Sequence, residues 1–388
     1  MTEETRRILI IAGEASGDLH GSELIRAMKE RSPNYEFYGL GGKRMRARGA
    51  DTFFDIERMG TVGIIEVLGE SFHYWNVYKR LRAEIESGRY DAAILIDYPT
   101  LNMRLARLCR ENDIPVYYVI GPQIWAWRAG RIKAIKRDVS KMFVIFPFEE
   151  ALYRDAGVDV EFVGHPFAEK VRPTMSREEA LRHFGLREDS PVVGLLPGSR
   201  KNEIDSLFDV MLKGSADIAK ERPDCQFLLP VADTLDPEPL RKRAQESGLD
   251  IRVVPGQSYD VMNCSDCLVI ASGSATLEAA LIGTPMVIVY KLNPLTYWLA
   301  KPLVKIDLYG LANIAAGEKV VPELIQYQLT RDAIKKEVER FLAEPEYVQS
   351  VKEKLSHIKA TLGQPGVMER IATSVCQSLE QQSAAPTR

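Results

Sequence analysis

The chain has 388 residues, 45% of them hydrophobic and 27% charged, and its 51 basic and 54 acidic side chains leave a net charge of −3. This length favours two domains with separate cores, and a near-neutral charge without a long basic run argues against nucleic-acid binding. The longest apolar runs fall far short of the roughly 20 residues of a membrane-spanning helix, and the N-terminal run is too short for a signal peptide, so we expect a cytoplasmic protein.

Apolar runs typical of buried strands alternate with amphipathic stretches in the first half of the chain. The runs are RILIIAG, EFYGLGG, AAILID, PVYYVIG, MFVIF and EFVG. Because they are apolar throughout rather than at alternate positions, they suit parallel strands covered by helices on both faces. The pattern predicts a doubly wound, Rossmann-like domain over residues 1–168.

The same cycle starts again after GHPFAEKVRP, residues 164–173, whose two prolines mark a connector. A second Rossmann-like domain over residues 169–340 is predicted from VVGLLPG, QFLLPV, IRVV, CLVIAS and MVIVY. Only helical patterns follow Thr330, and we assign residues 341–388 to C-terminal helices. The predicted fold class is therefore α/β, with two tandem Rossmann-like domains and a cleft between them.

Three glycine-containing turns between strand and helix are candidates for binding phosphate. The first, IAGEASGDLHG, carries Glu14 and Asp18, whose carboxylates would repel a phosphate at the helix start. It is a poor phosphate site. Two readings of it stay open: a polar role facing a sugar, or an N-cap supplied by Ser16 or Asp18.

The second turn, LLPGSRKNEI, brings Ser199 and Arg200 to a helix start after a buried strand. Backbone N–H groups, a hydroxyl and a guanidinium in one place suit a diphosphate, because the planar guanidinium engages phosphate oxygens in pairs. The alternative is an exposed helix start with ordinary surface cations.

The third turn, CLVIASGSATLEAAL, combines small residues with a helix N-terminus and a carboxylate one turn later. Small residues let a ligand approach the backbone, and Glu278 is placed to accept ribose hydroxyls. The alternative for Glu278 is compensation of the helix dipole as part of a capping box. Both phosphate-suited turns lie in the second half, so a nucleotide is expected there.

A metal or redox site is not favoured. Five cysteines (109, 225, 264, 267 and 376) include one isolated CxxC, and the five histidines are scattered. A zinc site would need a second pair of ligands at suitable spacing.

Taken in order, these motifs resemble the lipid-A-disaccharide synthase family, inverting two-domain glycosyltransferases of the GT-B fold. The motifs are AGEASGD, LIDYPTLN, GPQIWAWR, FPFE, VGHP, LPGSRKNEI, SGSATLEAAL, GTPMVIVYK and LANIAAGEKVVPELIQ, spanning residues 7 to about 330. The resemblance implies that UDP-2,3-diacylglucosamine donates its sugar to 2,3-diacylglucosamine 1-phosphate (lipid X), giving the β-1,6-linked lipid A disaccharide and UDP. It also implies that the C-terminal helices pack back toward the first domain.

The resemblance further implies a UDP site in the second domain and no cofactor. The residues carried over to UDP are Ser199, Arg200, Gln257, Tyr259, Gly273, Ser274, Ala275, Thr276 and Glu278. Asn313 falls in the family's active-site strip. Many members carry arginine where this chain has Glu318, so we assign that position no phosphate role.

An inverting displacement needs a base that removes the proton of the acceptor hydroxyl. Asp97 is the first candidate, because it ends the strand AAILI at the carboxyl edge, where open α/β sheets place ligands. Glu14 and Asp18, at the neighbouring strand end, are expected to orient acceptor hydroxyls or share the base role. The alternative for Asp97 is an N-cap of the following helix.

Acylated substrates call for an apolar surface beside the site. Residues 62–85 place Ile65, Leu68, Phe72 and Trp75 at helical spacing, followed by basic residues. That pattern is typical of a helix lying on an anionic membrane surface, so we expect peripheral attachment to the cytoplasmic face of the inner membrane. A core-facing helix has the same spacing. The oligomeric state, a homodimer included, is left open.

Two other functions share parts of this pattern. An isomerase resembling UDP-GlcNAc 2-epimerase would explain the UDP motifs without an acceptor, and a non-catalytic sugar-nucleotide sensor would bind the same ligand. A dinucleotide-dependent oxidoreductase is weaker, since its glycine fingerprint is missing.

Overall fold

The structure, a computed structural model, describes residues 5–56, 67–125, 129–292 and 308–384; side chains are described in these ranges except at 67–74, 129, 383 and 384. The chain forms two compact units, Met1–Pro166 with Gln364–Arg388, and Phe167–Gly363. No helix in the described ranges is long and apolar enough to cross a membrane.

The first unit contains a parallel sheet with helices on both faces. Its strands are β1 (Arg6–Ala12), β2 (Tyr35–Gly41), β3 (Ala50–Asp55), β4 (Ala92–Ile96), β5 (Val116–Val119), β6 (Lys141–Val144) and β7 (Val160–Phe162). Its helices are α1 (Ala15–Arg31), α2 (Lys43–Ala47), α3 (Val67–Glu86), α4 (Pro99–Glu111), α5 (Ile132–Asp138), α6 (Pro147–Asp155) and, from the end of the chain, α16 (Val367–Ala384).

The strand order of the first sheet, within the described ranges, is β3-β2-β1-β4-β5-β6-β7. Successive side chains of a strand point to opposite faces, and here both faces are buried: Leu9 and Ile11 of β1 join one core cluster, while Ile8 and Ile10 join the other. This is why the strands are apolar at every position.

Helix α16 completes one of the two cores of the first unit. Val367, Ile371 and Val375 are fully buried in the same cluster as α1. Polar contacts fix the helix as well: Arg26 forms an ion pair with Glu369, and the hydroxyl of Tyr117 donates to Ser378 at 2.7 Å.

The second unit repeats the same architecture. Its strands are β8 (Val192–Leu196), β9 (Gln226–Val231), β10 (Ile251–Pro255), β11 (Cys267–Ala271), β12 (Met286–Tyr290) and β13 (Glu323–Ile325). Its described helices are α7 (Phe167–Lys170), α8 (Arg177–His183), α9 (Lys201–Glu221), α10 (Glu238–Glu246), α11 (Ser258–Cys264), α12 (Ser274–Ile282), α13 (Leu311–Ala316), α14 (Arg331–Ala343) and α15 (Pro345–Thr361). The strand order is β10-β9-β8-β11-β12-β13.

The predicted α/β class with two Rossmann-like halves is confirmed, since each unit has the doubly wound strand order. The tail differs from the predicted separate segment 341–388: α15 belongs to the second unit and α16 to the first. The division after Pro166 lies two residues before the predicted boundary.

Candidate active site

Each sheet reverses its strand order at one point, and open α/β sheets place ligands beyond the carboxyl ends of the strands there. In the first unit β1 and β4 are neighbours, with Ala12 paired to Ile96. Their carboxyl ends lead into Glu14 and Asp97. The structure thus brings two of the three predicted acidic residues to the switch point of the first sheet.

Asp97 has an unusual backbone and a perturbed carboxyl group. Its φ is +45° and that of Tyr98 is +44°, both left-handed. Burial, and secondarily the charge of Glu14, raise the pKa of Asp97 above its usual value. Tyr98, not Asp97, occupies the N-cap position of α4, so the alternative that Asp97 caps this helix is not favoured.

The loop after β1 approaches the side chain of Tyr98 closely because it contains Gly13. A Cβ added at Gly13 would lie 2.5 Å from the ring of Tyr98, so only glycine fits beneath that ring. Glu14 follows as the exposed N-cap residue of α1, without a side-chain capping bond. Glu14 is therefore exposed to solvent beside the switch point.

Asp18, predicted to orient acceptor hydroxyls or share the base role, is buried and bound to backbone amides instead. It is 4% exposed, and its carboxylate accepts hydrogen bonds from the backbone N–H groups of Gly42, Arg44 and Met45 at 2.7, 3.1 and 3.1 Å. These bonds satisfy the N-terminal amides of α2. We therefore correct its role to a structural one.

Sequence reasoning missed a third carboxylate, Glu149, near the end of β6. It is 2% exposed, accepts from the indole N–H of Trp125 at 3.1 Å and from the backbone N–H of Phe146 at 3.2 Å. Burial raises its pKa to about 7. The FPFE motif after an apolar strand was the available signal, but sequence does not tell a buried glutamate from an exposed one.

The pKa of Glu149 predicts a specific dependence of stability on pH. Between its unfolded value, about 4.3, and about 7, the folded protein binds the extra proton. The free energy of unfolding therefore falls as pH rises through this window, by at most about 1.4 kcal/mol per pH unit for this one proton. We expect Glu149→Gln to remove that component in urea titrations at several pH values.

The matched control is Glu150→Gln, one residue along α6 and less deeply buried. We expect it to keep the wild-type pH slope. If the free energy of unfolding varied with pH equally in Glu149→Gln and wild type, the raised pKa of Glu149 would be contradicted. A difference between the two proteins that is the same at every pH would reflect only the lost hydrogen bonds.

In the second unit, β8 and β11 are the neighbours at the switch point, and the two phosphate-suited turns follow them. The turn after β8 is already occupied by a carboxylate: the N–H groups of Ser199 and Arg200 donate to Glu203 at 3.0 and 3.3 Å. The Arg200 side chain is 83% exposed. Its guanidinium is therefore accessible, while the two predicted amide donors are engaged by Glu203.

The turn after β11 is more open. Gly273 and Ser274 are exposed, Ala275 is half-buried, and, apart from its two chain neighbours, no described residue has an atom within 4 Å of a Cβ added at Gly273. Thr276 differs from the prediction: it is fully buried, and its hydroxyl donates to the carbonyl of Gly273 at 2.8 Å. We therefore correct Thr276 from a ligand contact to a residue that closes the first turn of α12.

Glu278 lies in the second turn of α12, as its fifth residue. The hydroxyl of Tyr259 donates to its carboxylate at 3.2 Å, and burial raises the pKa of Glu278. No side-chain capping bond is found at the start of α12, so the capping-box alternative is not favoured. Gln257, at φ +51°, is the exposed N-cap residue of α11.

Asn313, which the resemblance places in the family's active-site strip, makes hydrogen bonds that hold the fold together. It is fully buried; its Oδ1 accepts from the N–H groups of Val320 and Val321, and its Nδ2 donates to Val321 O and to Glu323, each at 2.9 Å. Glu318 is exposed and pairs with Lys354 at 2.8 Å.

The predicted membrane-contact residues are only partly described. Ile65 lies outside the described residues, and the side chains of Leu68 and Phe72 do as well. Trp75 of α3 is 48% exposed, while Val77 and Leu81 of the same helix are fully buried. The core-facing alternative therefore does not hold for Trp75.

In the described ranges, no three or more His, Cys, Asp or Glu side chains are arranged around a common point. Cys264 and Cys267 are buried free thiols, and burial raises both pKa values. A raised pKa keeps a thiol protonated and unreactive.

Comparison with known proteins identifies relatives along nearly the whole chain. Residues 8–376 match the family model described as lipid-A-disaccharide synthetase. Lipid-A-disaccharide synthase of Geobacter sulfurreducens is 48% identical, over 98% of this chain and 100% of that protein. The enzyme of Syntrophus aciditrophicus is 45% identical, over 95% and 96%.

Solved structures share the fold at low sequence identity. UDP-GlcNAc 2-epimerase from Neisseria meningitidis, bound to UDP-GlcNAc, matches with a TM-score of 0.59 and 14% identity over 97% of this chain and 100% of that one. A glycosyltransferase from Rickettsia africae matches with a TM-score of 0.59 and 10% identity over 98% and 99%. These likenesses extend to the fold alone, whereas the sequence relatives decide the family: the chain belongs to the lipid-A-disaccharide synthases, a family of glycosyltransferases.

Proposed function

We propose that this protein transfers the sugar of UDP-2,3-diacylglucosamine to the 6-hydroxyl of lipid X, forming the β-1,6-linked disaccharide and UDP. Family membership supports the reaction. The observation that carries the assignment of the chemistry is Asp97, a half-buried carboxylate at the switch point of the first sheet with Glu14 beside it. The isomerase and sensor alternatives have only the likeness of fold in their favour.

In the proposed mechanism Asp97 is the general base. Its carboxylate takes the proton of the acceptor hydroxyl while that oxygen bonds to the anomeric carbon, and the bond from this carbon to the UDP oxygen breaks with inversion. Desolvation favours this role, because a raised pKa makes the carboxylate a stronger proton acceptor. Exposed Glu14 is proposed to accept hydrogen bonds from acceptor hydroxyls.

The second unit is proposed to hold UDP. Arg200 would engage the diphosphate, Gly273 and Ser274 would receive it at the start of α12, and Glu278, held by Tyr259, would accept the ribose hydroxyls. Glu203 occupies the amides of Ser199 and Arg200, so a phosphate at those amides would require its side chain to rotate away. Gln257 is proposed to border the uracil.

The test is an incubation of the purified protein with both acylated glucosamines, with disaccharide and UDP measured as products. Equal amounts of the two would support the transfer; epimerised donor without disaccharide would favour the isomerase, and binding of UDP without turnover would favour the sensor.

An arm with excess EDTA is expected to retain turnover if Arg200 and the helix start stabilise the leaving UDP. A UDP complex should place the nucleotide against Gly273 and Glu278, and UDP against residues 13–17 would contradict the scheme.

We also propose that α3 attaches the protein to the anionic cytoplasmic face of the inner membrane. Trp75 stacks on Tyr78 at 5.9 Å, and the Lys79 ammonium lies 5.5 Å from the Trp75 ring. This exposed aromatic and basic group suits the headgroup region.

Trp75→Glu should reduce co-sedimentation with anionic vesicles several-fold, because a carboxylate is repelled by the headgroups. The matched control Gln349→Glu changes an exposed residue of α15 and should bind vesicles as wild type does. Unchanged sedimentation of a folded Trp75→Glu protein would contradict the membrane role.

A homodimer is a separate proposal that light scattering would test.

A further inference from the structure

The turn that carries Asp97 is strained and held by hydrogen bonds. Asp97 and Tyr98 are consecutive non-glycine residues with φ of +45° and +44°. The left-handed region is sterically unfavourable for a bulky L-residue such as Tyr98, so the surrounding contacts must hold the pair in place.

Asn102, in the first turns of α4, supplies the principal hydrogen bonds. Its side chain is fully buried, and its Nδ2 donates to the carbonyl oxygens of Ile96 at 3.0 Å and Asp97 at 2.7 Å. Because a carbonyl oxygen can only accept, the two partners fix which end of the amide faces them. From β5, the hydroxyl of Tyr118 donates to the same Asp97 carbonyl at 2.8 Å.

The Oδ1 atom of Asn102 does not contribute to stability. Among the described residues, its buried Oδ1 has no hydrogen-bond partner. An unsatisfied buried acceptor is destabilising, and an apolar side chain of similar size would avoid this cost. The position therefore combines two unfavourable features, backbone strain and an unsatisfied oxygen, at the one turn that presents the proposed base.

We propose that Asn102 is a positioning residue for Asp97: by binding the carbonyls of Ile96 and Asp97 it holds the left-handed turn and so fixes the direction of the Asp97 carboxylate, with Tyr118 as a second donor. A rotation about the N–Cα bond of Asp97, which sets its left-handed φ, moves the carbonyl and the carboxylate together. The inference rests on the proposed role of Asp97 as base.

The test compares Asn102→Ala with a matched control on the same helix. Asn112 follows the last residue of α4, and its Nδ2 also donates to a carbonyl, that of Leu108, at 2.9 Å. We expect Asn102→Ala to lower kcat about 10- to 100-fold, because small misplacements of a reacting group have large effects on rate. The KM of the donor should stay within about twofold, and Asn112→Ala should leave both constants unchanged.

Two further measurements keep the test informative. Tyr118→Phe removes only one donor and keeps the ring, so it should fold and lower kcat about three- to tenfold; this variant replaces Asn102→Ala if the latter does not fold. Hydrogen exchange across residues 96–102, followed by mass spectrometry, should be faster in Asn102→Ala than in Asn112→Ala, because the Asp97 N–H donates to Val119 at 2.9 Å and loosening the turn exposes it.

The outcomes separate this inference from the proposed function. A wild-type protein that makes no disaccharide would contradict the function, and the exchange measurement would still decide whether Asn102 holds the turn. A folded Asn102→Ala with wild-type kcat, or with unchanged exchange across 96–102, overturns the inference while the function stands. A rise in donor KM equal to the fall in kcat/KM would also overturn it, since that result indicates lost binding rather than lost alignment.

Discussion

Asp97→Asn is expected to lower kcat about 100- to 10,000-fold, the range that general-base catalysis contributes. Asparagine keeps the size of the side chain and tolerates the left-handed backbone, but it cannot take a proton from the acceptor hydroxyl. UDP affinity and donor KM should change little, because UDP is proposed to bind the second unit. Steady-state kinetics with both substrates, and calorimetry with UDP, measure the two effects separately.

The matched control for this prediction is Asp91→Asn. Asp91 precedes β4 at the amino edge of the same sheet, where its carboxylate accepts a hydrogen bond from the N–H of Arg7 at 2.7 Å. The Asp91→Asn variant should retain wild-type kcat. The raised pKa of Asp97 adds a second expectation: the base is active when ionised, so kcat should fall as pH drops through a range above that of an ordinary aspartate. A folded Asp97→Asn with kcat near wild type would exclude Asp97 as the base.

The fold could be predicted because its signal is repeated along the chain. Each buried parallel strand is apolar at every position, and β1 and β4 show why, since side chains on both faces are fully buried. Ligands bind beyond the carboxyl ends of the strands in open α/β sheets. The predicted strand ends were therefore enough to indicate Asp97 and the two phosphate-suited turns. The division of the tail was not predictable, because amphipathic periodicity does not say which core a helix joins.

Roles of individual polar residues were harder to predict, since sequence does not reveal burial. Asp18 and Glu14 are four residues apart at the start of α1, yet Glu14 is exposed and Asp18 caps α2 from a position 24 residues away from Gly42. Thr276 sits beside the exposed Ser274 but turns its hydroxyl into its own helix. Glu149 was passed over for the same reason, because only the structure shows it buried beneath Trp125.

Asn313 illustrates the structural use of a polar residue and carries the largest expected effect on stability. Its four hydrogen bonds tie α13 to Val320 and Val321 and to Glu323, the first residue of β13. Glu323, 6% exposed, also accepts from the N–H groups of Tyr309 and Gly310. The carbonyl of Tyr309 in turn accepts from Ser272 at 2.8 Å, next to Gly273, so the contacts of Asn313 extend to the proposed UDP turn.

Asn313→Ala should therefore lower the free energy of unfolding by about 3 to 4 kcal/mol, because it leaves buried backbone groups and the Glu323 carboxylate without partners. Urea denaturation and the thermal midpoint measure the loss. Asn263→Ala, which removes a single amide-to-carbonyl bond to Met175, should cost only about 1 kcal/mol. Asn313→Asp keeps the shape but sets a second carboxylate against Glu323, so its penalty should grow as pH rises and the two groups repel as anions. Were Asn313→Ala as stable as wild type yet unable to transfer sugar, the residue would act on substrate, and the assignment of a structural role would have to be abandoned.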